Sequence, residues 1–370
     1  MNNTNQSKTP VSFAAIDPYI ETHIVKPTET LLKSKDMVEY GENNSYPDYL
    51  LGLYDNVPTL RSIVNGNVDF ISGDDVIFNL PRQLNGKGDT ARDMVRSLAL
   101  DKEIYGGFAI QVIRAMDGSI AETHYIDLRF LRANKECNVF YYSEDWGKVR
   151  RNDVITYPAY MRDLDWNALD ENAKAQHASS ILYVKDTHTQ TYPAPLYAAS
   201  VKACEIERCI DDYHLNSINN SFTSSVIINM NSGIPEDAVK KEIERNINEK
   251  FSGHQNAGRM MLSWNKDKDH EVTISEPKLE DFGEKYNALA KHSRQQIFTA
   301  FRANPNLFGI PTENLGFSSE EYDSAFKLYN RTQIQPIQKQ IVQAFEKIYG
   351  EGCLTIVPFS MDGQTEDNVN

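Results

Sequence analysis

The chain has 370 residues, of which 40% are apolar and 24% charged; these are globular proportions that exclude wholesale disorder and allow roughly two or three domains. No apolar run approaches the roughly 20 residues needed to span a bilayer, so a soluble protein is expected. A net charge of -14 excludes a protein that coats nucleic acid through general basicity, but not a channel through which DNA slides without sticking.

Residues 1 to about 35 mix Asn, Thr, Ser, Pro and Lys without periodic apolar positions and are expected to be loose, as is the polar, acidic stretch from Asp362 to Asn370. No repeat of twenty to fifty residues is visible, which removes solenoids and propellers. From Tyr46 the pattern turns helical. Pro47 suits a first helical position, and Pro58 restarts a second helix through Leu60, Ile63, Val64, Asn67 and Ile71 that stops at Gly73. A third helix is predicted from Asp89 to about Tyr105, ended by Gly106-Gly107.

The next stretch is strand-like. Phe108 to Ile113 faces Ile120 to Ile126 across Met116-Asp117-Gly118-Ser119, a good hairpin turn. Val139 to Ser143, Val154 to Tyr157 and Ile181 to Val184 are further short strands, completing an α+β region that ends at the TYPAPLY turn, Thr191 to Tyr197. A long helix follows from about Leu196 to Ile218. It leads into a β-α-β-β unit: a strand over Ser224 to Met230, a helix from Pro235 to about Phe251, and strands over Arg259 to Ser263 and Glu271 to Ser275. A second long helix begins near Glu280, so this unit is expected to be a small lobe at the tip of a helical hairpin.

That second helix carries Phe282, Tyr286, Leu289, Ile297 and Phe301 at helical spacing, and Lys285, Lys291, Arg294 and Gln295 on its other face. Pro305 forbids its continuation. The apolar loop PNLFGIP, Pro305 to Pro311, comes next. Ser318-Ser319 before Glu320-Glu321 then announces another helix, running toward Tyr349 with a kink predicted at Pro336. Leu354 to Phe359 is the final strand.

No chemical motif survives inspection. Gly86-Lys87-Gly88 lacks the spacing of a phosphate-binding GxxxxGK[ST] loop and reads as a polar loop. HExxH and GxSxG are absent. Cys137, Cys204, Cys209 and Cys353 form no CxxC pair and imply reduced thiols in a cytosolic setting; MNNTNQSKTP has no signal-peptide pattern. Asp74-Asp75 admits a Mg²⁺ pair for a nuclease, but an acidic turn after a helix C-cap is the preferred reading. Neither a catalytic site, a metal nor a cofactor is expected. The cations Lys285, Lys291 and Arg294 read either as a solvated face or, repeated around a ring, as a belt toward DNA backbone.

In order and spacing, several segments resemble the portal, or head-to-tail connector, proteins of tailed bacteriophages. They are VEYGENNSYPDYLLGLYDNVPTLRSIVNGNVDFISGDDV at Val38 to Val76, DKEIYGGFAIQVI at Asp101 to Ile113, YPAPLY before a long helix, KFSGHQNAGRMML at Lys250 to Leu262 and QQIFTAFRANPNLFGI at Gln295 to Ile310. The resemblance covers nearly everything from Val38 to Phe359. It implies an α+β, portal-like fold: a loose arm over 1–39, a mixed wing over 40–195, a first stem helix over 196–218, a clip over 219–277, a second stem helix over 278–303, a tunnel loop over 304–318, a return helix and strand over 319–360, and a polar tail over 361–370. Only about ten polar residues follow Phe359, so a reduced or absent crown is expected.

The resemblance further implies a non-enzymatic homo-oligomeric ring, dodecameric in the particle, at one capsid vertex of the virion after assembly in the host cytoplasm. Its implied partners are the terminase large subunit, the major capsid protein or scaffold, head-completion and tail adaptor proteins, and double-stranded DNA passing without sequence reading; no membrane is involved. Lys285, Lys291, Arg294, Asn314, Leu315 and Phe317 are the expected channel residues, with Thr312 to Phe317 as the exposed tip and Pro305, Leu307, Phe308 and Pro311 as loop anchors. The alternatives are a tail or baseplate ring adaptor and a Mg²⁺-dependent DNA-processing enzyme using Asp74 and Asp75.

Overall fold

Two prolines open the first two helices where a missing N–H costs nothing: Pro47 in α1 (Tyr46–Asn56) and Pro58 in α2 (Pro58–Ser72). They belong to a computed structural model that describes residues 13–14, 24–32, 36–80, 83–147, 154–186, 191–219, 226–230, 235–243, 260–264, 280–309 and 319–360. By internal contacts the chain divides into two units, one of Met1–His23 with Ile206–Lys291, the other of Ile24–Glu205 with His292–Asn370.

In the larger unit, α3 (Ala91–Tyr105) starts two residues later than predicted, because Thr90 is its cap. The Thr90 hydroxyl accepts from Asp93 N–H at 3.1 Å while the Asp93 carboxylate accepts from Thr90 N–H at 3.2 Å. Gly106 ends the helix at φ 88°, and a β-carbon there would lie 2.2 Å from the Ala194 carbonyl oxygen. Only glycine lets the 191–197 segment cross so close.

The predicted hairpin forms as β5 (Gly107–Arg114) and β6 (Ile120–Ile126), and β10 (Ser179–Lys185) joins the other side of β5, antiparallel throughout. A five-stranded antiparallel sheet runs in the order β2 (Glu29–Leu32), β3 (Met37–Tyr40), β7 (Leu131–Ala133), β8 (Val139–Tyr142), β9 (Ile155–Pro158). Strand β2 lies in the arm expected to be loose. Its Glu29 carboxylate accepts from Thr191 N–H and Tyr192 N–H at 3.0 and 2.9 Å, a long-range tie that local periodicity does not reveal. The short helix α4 (Glu171–His177) escaped sequence reading because none of its residues is buried, so it has no apolar face to signal. Asp75, expected in a turn, starts β4 (Asp75–Phe78), which pairs antiparallel with β13 (Leu354–Val357).

The first long helix, α5 (Val201–Asn219), follows a short 3₁₀ turn at Ala198–Ser200 rather than starting at Leu196. In the smaller unit, β11 (Val226–Met230) runs parallel to β12 (Met260–Trp264), with helical residues 237–243 (α6) between them in sequence. Parallel pairing requires such a crossover. β1 (Phe13–Ala14) completes the sheet on the free edge of β12, antiparallel to it. The predicted strand over Glu271 to Ser275 lies outside the described residues. The second long helix is α7 (Glu280–Ala300), and within the smaller unit its Tyr286 ring meets the His214 ring of α5 edge-on at 6.1 Å.

The final helical stretch is perturbed just ahead of Pro336. α8 (Ser319–Tyr329) passes through a π turn over Asn330–Ile334 into α9 (Gln335–Tyr349). Proline has no N–H to offer the Thr332 carbonyl and its ring crowds that carbonyl. The helix widens by one residue just before it, and Gln335 N–H donates to Asn330 O instead.

Two apolar clusters fill the larger unit. One joins α1 and α2 to the sheets and to Tyr197, Val201, Cys204, Ile297, Phe298 and Phe301. The other joins the end of α2, α3 and the middle of β5 to Leu307, Phe326, Tyr329, Ile334 and the buried stripe Ile341, Ala344, Phe345, Ile348 of α9.

Candidate functional site

Helix α7 cannot pass Pro305, and the chain turns out of it locally. Ala303 N–H reaches back to Phe298 O at 3.0 Å, and Arg302 adopts φ 52°. Asn304 then accepts from Asn306 N–H at 3.1 Å, capping a 3₁₀ turn over Pro305–Phe308 that Gly309 closes at φ 74°. These two bends aim Leu307 and Phe308 at α2.

Leu307 is buried in the second cluster and Phe308 is half-buried. The Phe308 ring lies 6.1 Å from those of Phe70 and Phe298 and 5.9 Å, edge-on, from that of Tyr329. Its near edge fills the place of a side chain at Gly66. Tyr329, on the far side of the 310–318 segment, donates its hydroxyl to Asn67 Oδ1 at 2.8 Å, and Asn67 Nδ2 donates to Glu103 Oε2 at 2.8 Å. Adjacent residues of α2 thus grip the chain on both sides of the loop, Gly66 by shape and Asn67 by hydrogen bonds. Burial pushes the Glu103 carboxyl up to about 7.

Sequence reading missed this polar chain. The available signal was the charged run Asp101-Lys102-Glu103 set between the apolar residues Leu98-Ala99-Leu100 and Ile104-Tyr105. All three residues are buried. Asp101 accepts from the Tyr125 hydroxyl and Leu128 N–H at 2.8 and 3.1 Å, and the Lys102 ammonium donates to Asp186 and to Gly106 O.

Of the other expected residues, Pro305 is half-buried, and Lys291 and Arg294 are exposed on α7. The Lys285 side chain, Pro311, Asn314, Leu315 and Phe317, with the Thr312 to Phe317 tip, lie outside the described residues. The Asp74 and Asp75 carboxylates accept from separate backbone donors: Asp74 Oδ2 from Ser360 N–H at 3.0 Å and Asp75 Oδ1 from Val76 N–H at 2.8 Å. Among the described residues no group of three or more His, Cys, Asp or Glu side chains is placed to hold a metal ion, and no helix is long and apolar enough to cross a membrane.

Comparison with solved structures gives the virion of a native gene transfer agent particle at TM-score 0.52 and 16% identity, covering 86% of this chain and 84% of the other. The neck of the native particle, computed with C12 symmetry, follows at 0.51 and 14%, covering 86% and 85%, and the neck of the empty particle, computed with C6 symmetry, at 0.51 and 15%, covering 86% of each. At these identities the likeness shows a shared fold. No curated protein sequence matches. The family model described as phage portal protein matches residues 74–360, most of the length, and on that match the chain belongs to the phage portal protein family.

Proposed function

We propose that this portal protein forms a closed ring at one vertex of a virion, through which double-stranded DNA is packaged and later ejected. The family match over residues 74–360 carries the reading. The fold shared with a neck computed with C12 symmetry supports twelve copies, arranged head to tail around the axis. In this reading 40–195 and 319–360 form the wing, 196–218 and 278–303 the stem helices, 219–277 the clip and 304–318 the tunnel loop. The clip docks the terminase large subunit during packaging and head-completion or tail proteins afterwards. The wing meets the capsid protein or scaffold.

The protein acts as a conduit and not as an enzyme. An acidic subunit suits passage, because a uniformly basic wall would hold DNA through counterion release and slow its sliding. Lys285, Lys291, Arg294 and the loop tip Asn314, Leu315 and Phe317 supply sparse contacts that guide the duplex without reading bases. Pro305, Leu307, Phe308 and Pro311 hold the loop base. Light scattering of the purified chain tests the reading: a discrete mass of many subunits is expected, and monomers at every concentration would overturn it.

A further inference from the structure

Between Asp323 and Glu346, which flank it, the solvent face of the α8–α9 stretch carries only positive charge. Lys327, Arg331, Lys339 and Lys347 are all exposed, as are Gln335 and Gln343 between them, so every fourth position from 327 to 347 is a cation or an amide. No Asp or Glu occurs from Ser324 to Phe345, in a chain whose net charge is -14. None of the four cations enters an ion pair among the described residues. Elsewhere Arg61, Arg96, Lys102, Arg129, Lys174, Arg208 and Lys240 are each paired with a carboxylate.

The π turn keeps this row together. At 3.6 residues per turn, every fourth residue advances roughly 40° around the axis, so five steps would turn roughly 200° and carry Lys347 to the side opposite Lys327. The residue absorbed by the wider turn at Asn330–Ile334 takes back roughly 100°. It therefore narrows the spread of the row to roughly 100° and leaves Phe326, Tyr329, Ile341, Phe345 and Ile348 together on the buried side.

We propose that Lys327, Arg331, Lys339 and Lys347 form a contact row for the phosphate backbone of double-stranded DNA. The proposal rests on the portal reading and adds to it a track that the stem and loop residues do not include. At 1.5 Å rise per residue the row is about 30 Å long, close to one turn of duplex. Its cations repeat at multiples of about 6 Å, which suits successive phosphates and reads no bases. A ring repeats the row once per subunit. Each contact is weak, and together they guide the strand.

The test compares the full-length wild type with the variant K327Q/R331Q/K339Q/K347Q, using a fluorescent random-sequence duplex of about 30 base pairs titrated over a range of salt. Electron micrographs of the same preparations record rings. The row predicts at least about tenfold weaker binding at low salt in the variant, and a log affinity against log salt slope shallower by about 3 or more, at about 0.9 for each phosphate no longer neutralised. The pair variant K339Q/K347Q, which leaves α8 and the π turn untouched, shows about half that change in slope. Wild-type rings that do not bind duplex, or a variant with unchanged affinity and slope, overturn the row and leave the portal reading standing. Rings lost only in the variant assign the row to a neighbouring subunit and overturn the DNA assignment. Absence of rings in the wild type overturns the portal reading itself.

Discussion

The ring of Phe308 occupies the space that a β-carbon on Gly66 would need: its Cε1 and Cδ1 atoms lie 2.7 and 2.8 Å from that position. Gly66 is in the middle of α2, where helix propensity alone favours alanine by about 1 kcal/mol. The glycine serves the close approach. Gly66→Ala is expected to destabilise the wild type by about 1–3 kcal/mol through overpacking. In a Phe308→Ala background the same change should stabilise, by up to about 1 kcal/mol. Urea unfolding of the four proteins closes the cycle, and additive effects would contradict the slot.

Glu103 makes stability depend on pH. Burial raises its carboxyl from the ordinary 4.5 to about 7, so the folded chain holds this proton more tightly than the unfolded one. Its contribution is fully present below about pH 4.5 and is lost as pH rises through about 7. Glu103→Gln keeps an acceptor for Asn67 and removes the titration. Relative to wild type the variant should gain stability steadily between pH 5 and pH 7, on the order of 1–3 kcal/mol in total. A wild-type minus variant difference that is flat with pH contradicts the assignment. Burial raises Asp101 as well, so the difference between the two proteins isolates Glu103.

Arg132 is a fully buried cation held by oxygen dipoles. Its guanidinium donates to Asn44 Oδ1, Asn44 O, Arg129 O and Leu131 O at 2.8–2.9 Å, and it lies 5.0 Å from the centre of the Trp146 ring. Lysine brings the charge without the planar fork. Arg132→Lys should cost about 3 kcal/mol or more, because the ammonium remains buried with most of these acceptors unmet. Chemical denaturation measures it, and a loss under about 1 kcal/mol would show that the fork is dispensable.

The elements legible in the sequence are those whose signals are local. Pro47 and Pro58 mark helix starts, Gly106 marks an end, and Asp117-Gly118 fixes the β5–β6 hairpin. The missed elements depend on distant partners or on no burial at all: β2 is held by Glu29 against Thr191 and Tyr192, β4 by pairing with β13 nearly 300 residues on, and α4 buries nothing. Pro336 marked a perturbed helix, and only the backbone shows it resolved as a π turn. Leu307 and Phe308 were visible as an apolar pair between punctuating residues, but the residues that grip them and Tyr329, namely Gly66 and the Asn67–Glu103 pair, come from helices more than 200 positions earlier.

The most direct measurement is single-particle imaging of the purified full-length chain viewed down the assembly axis. The portal reading predicts a toroid with rotational symmetry, twelvefold in the particle, and an open axial hole. A population of monomers and irregular aggregates with no axial hole would contradict it.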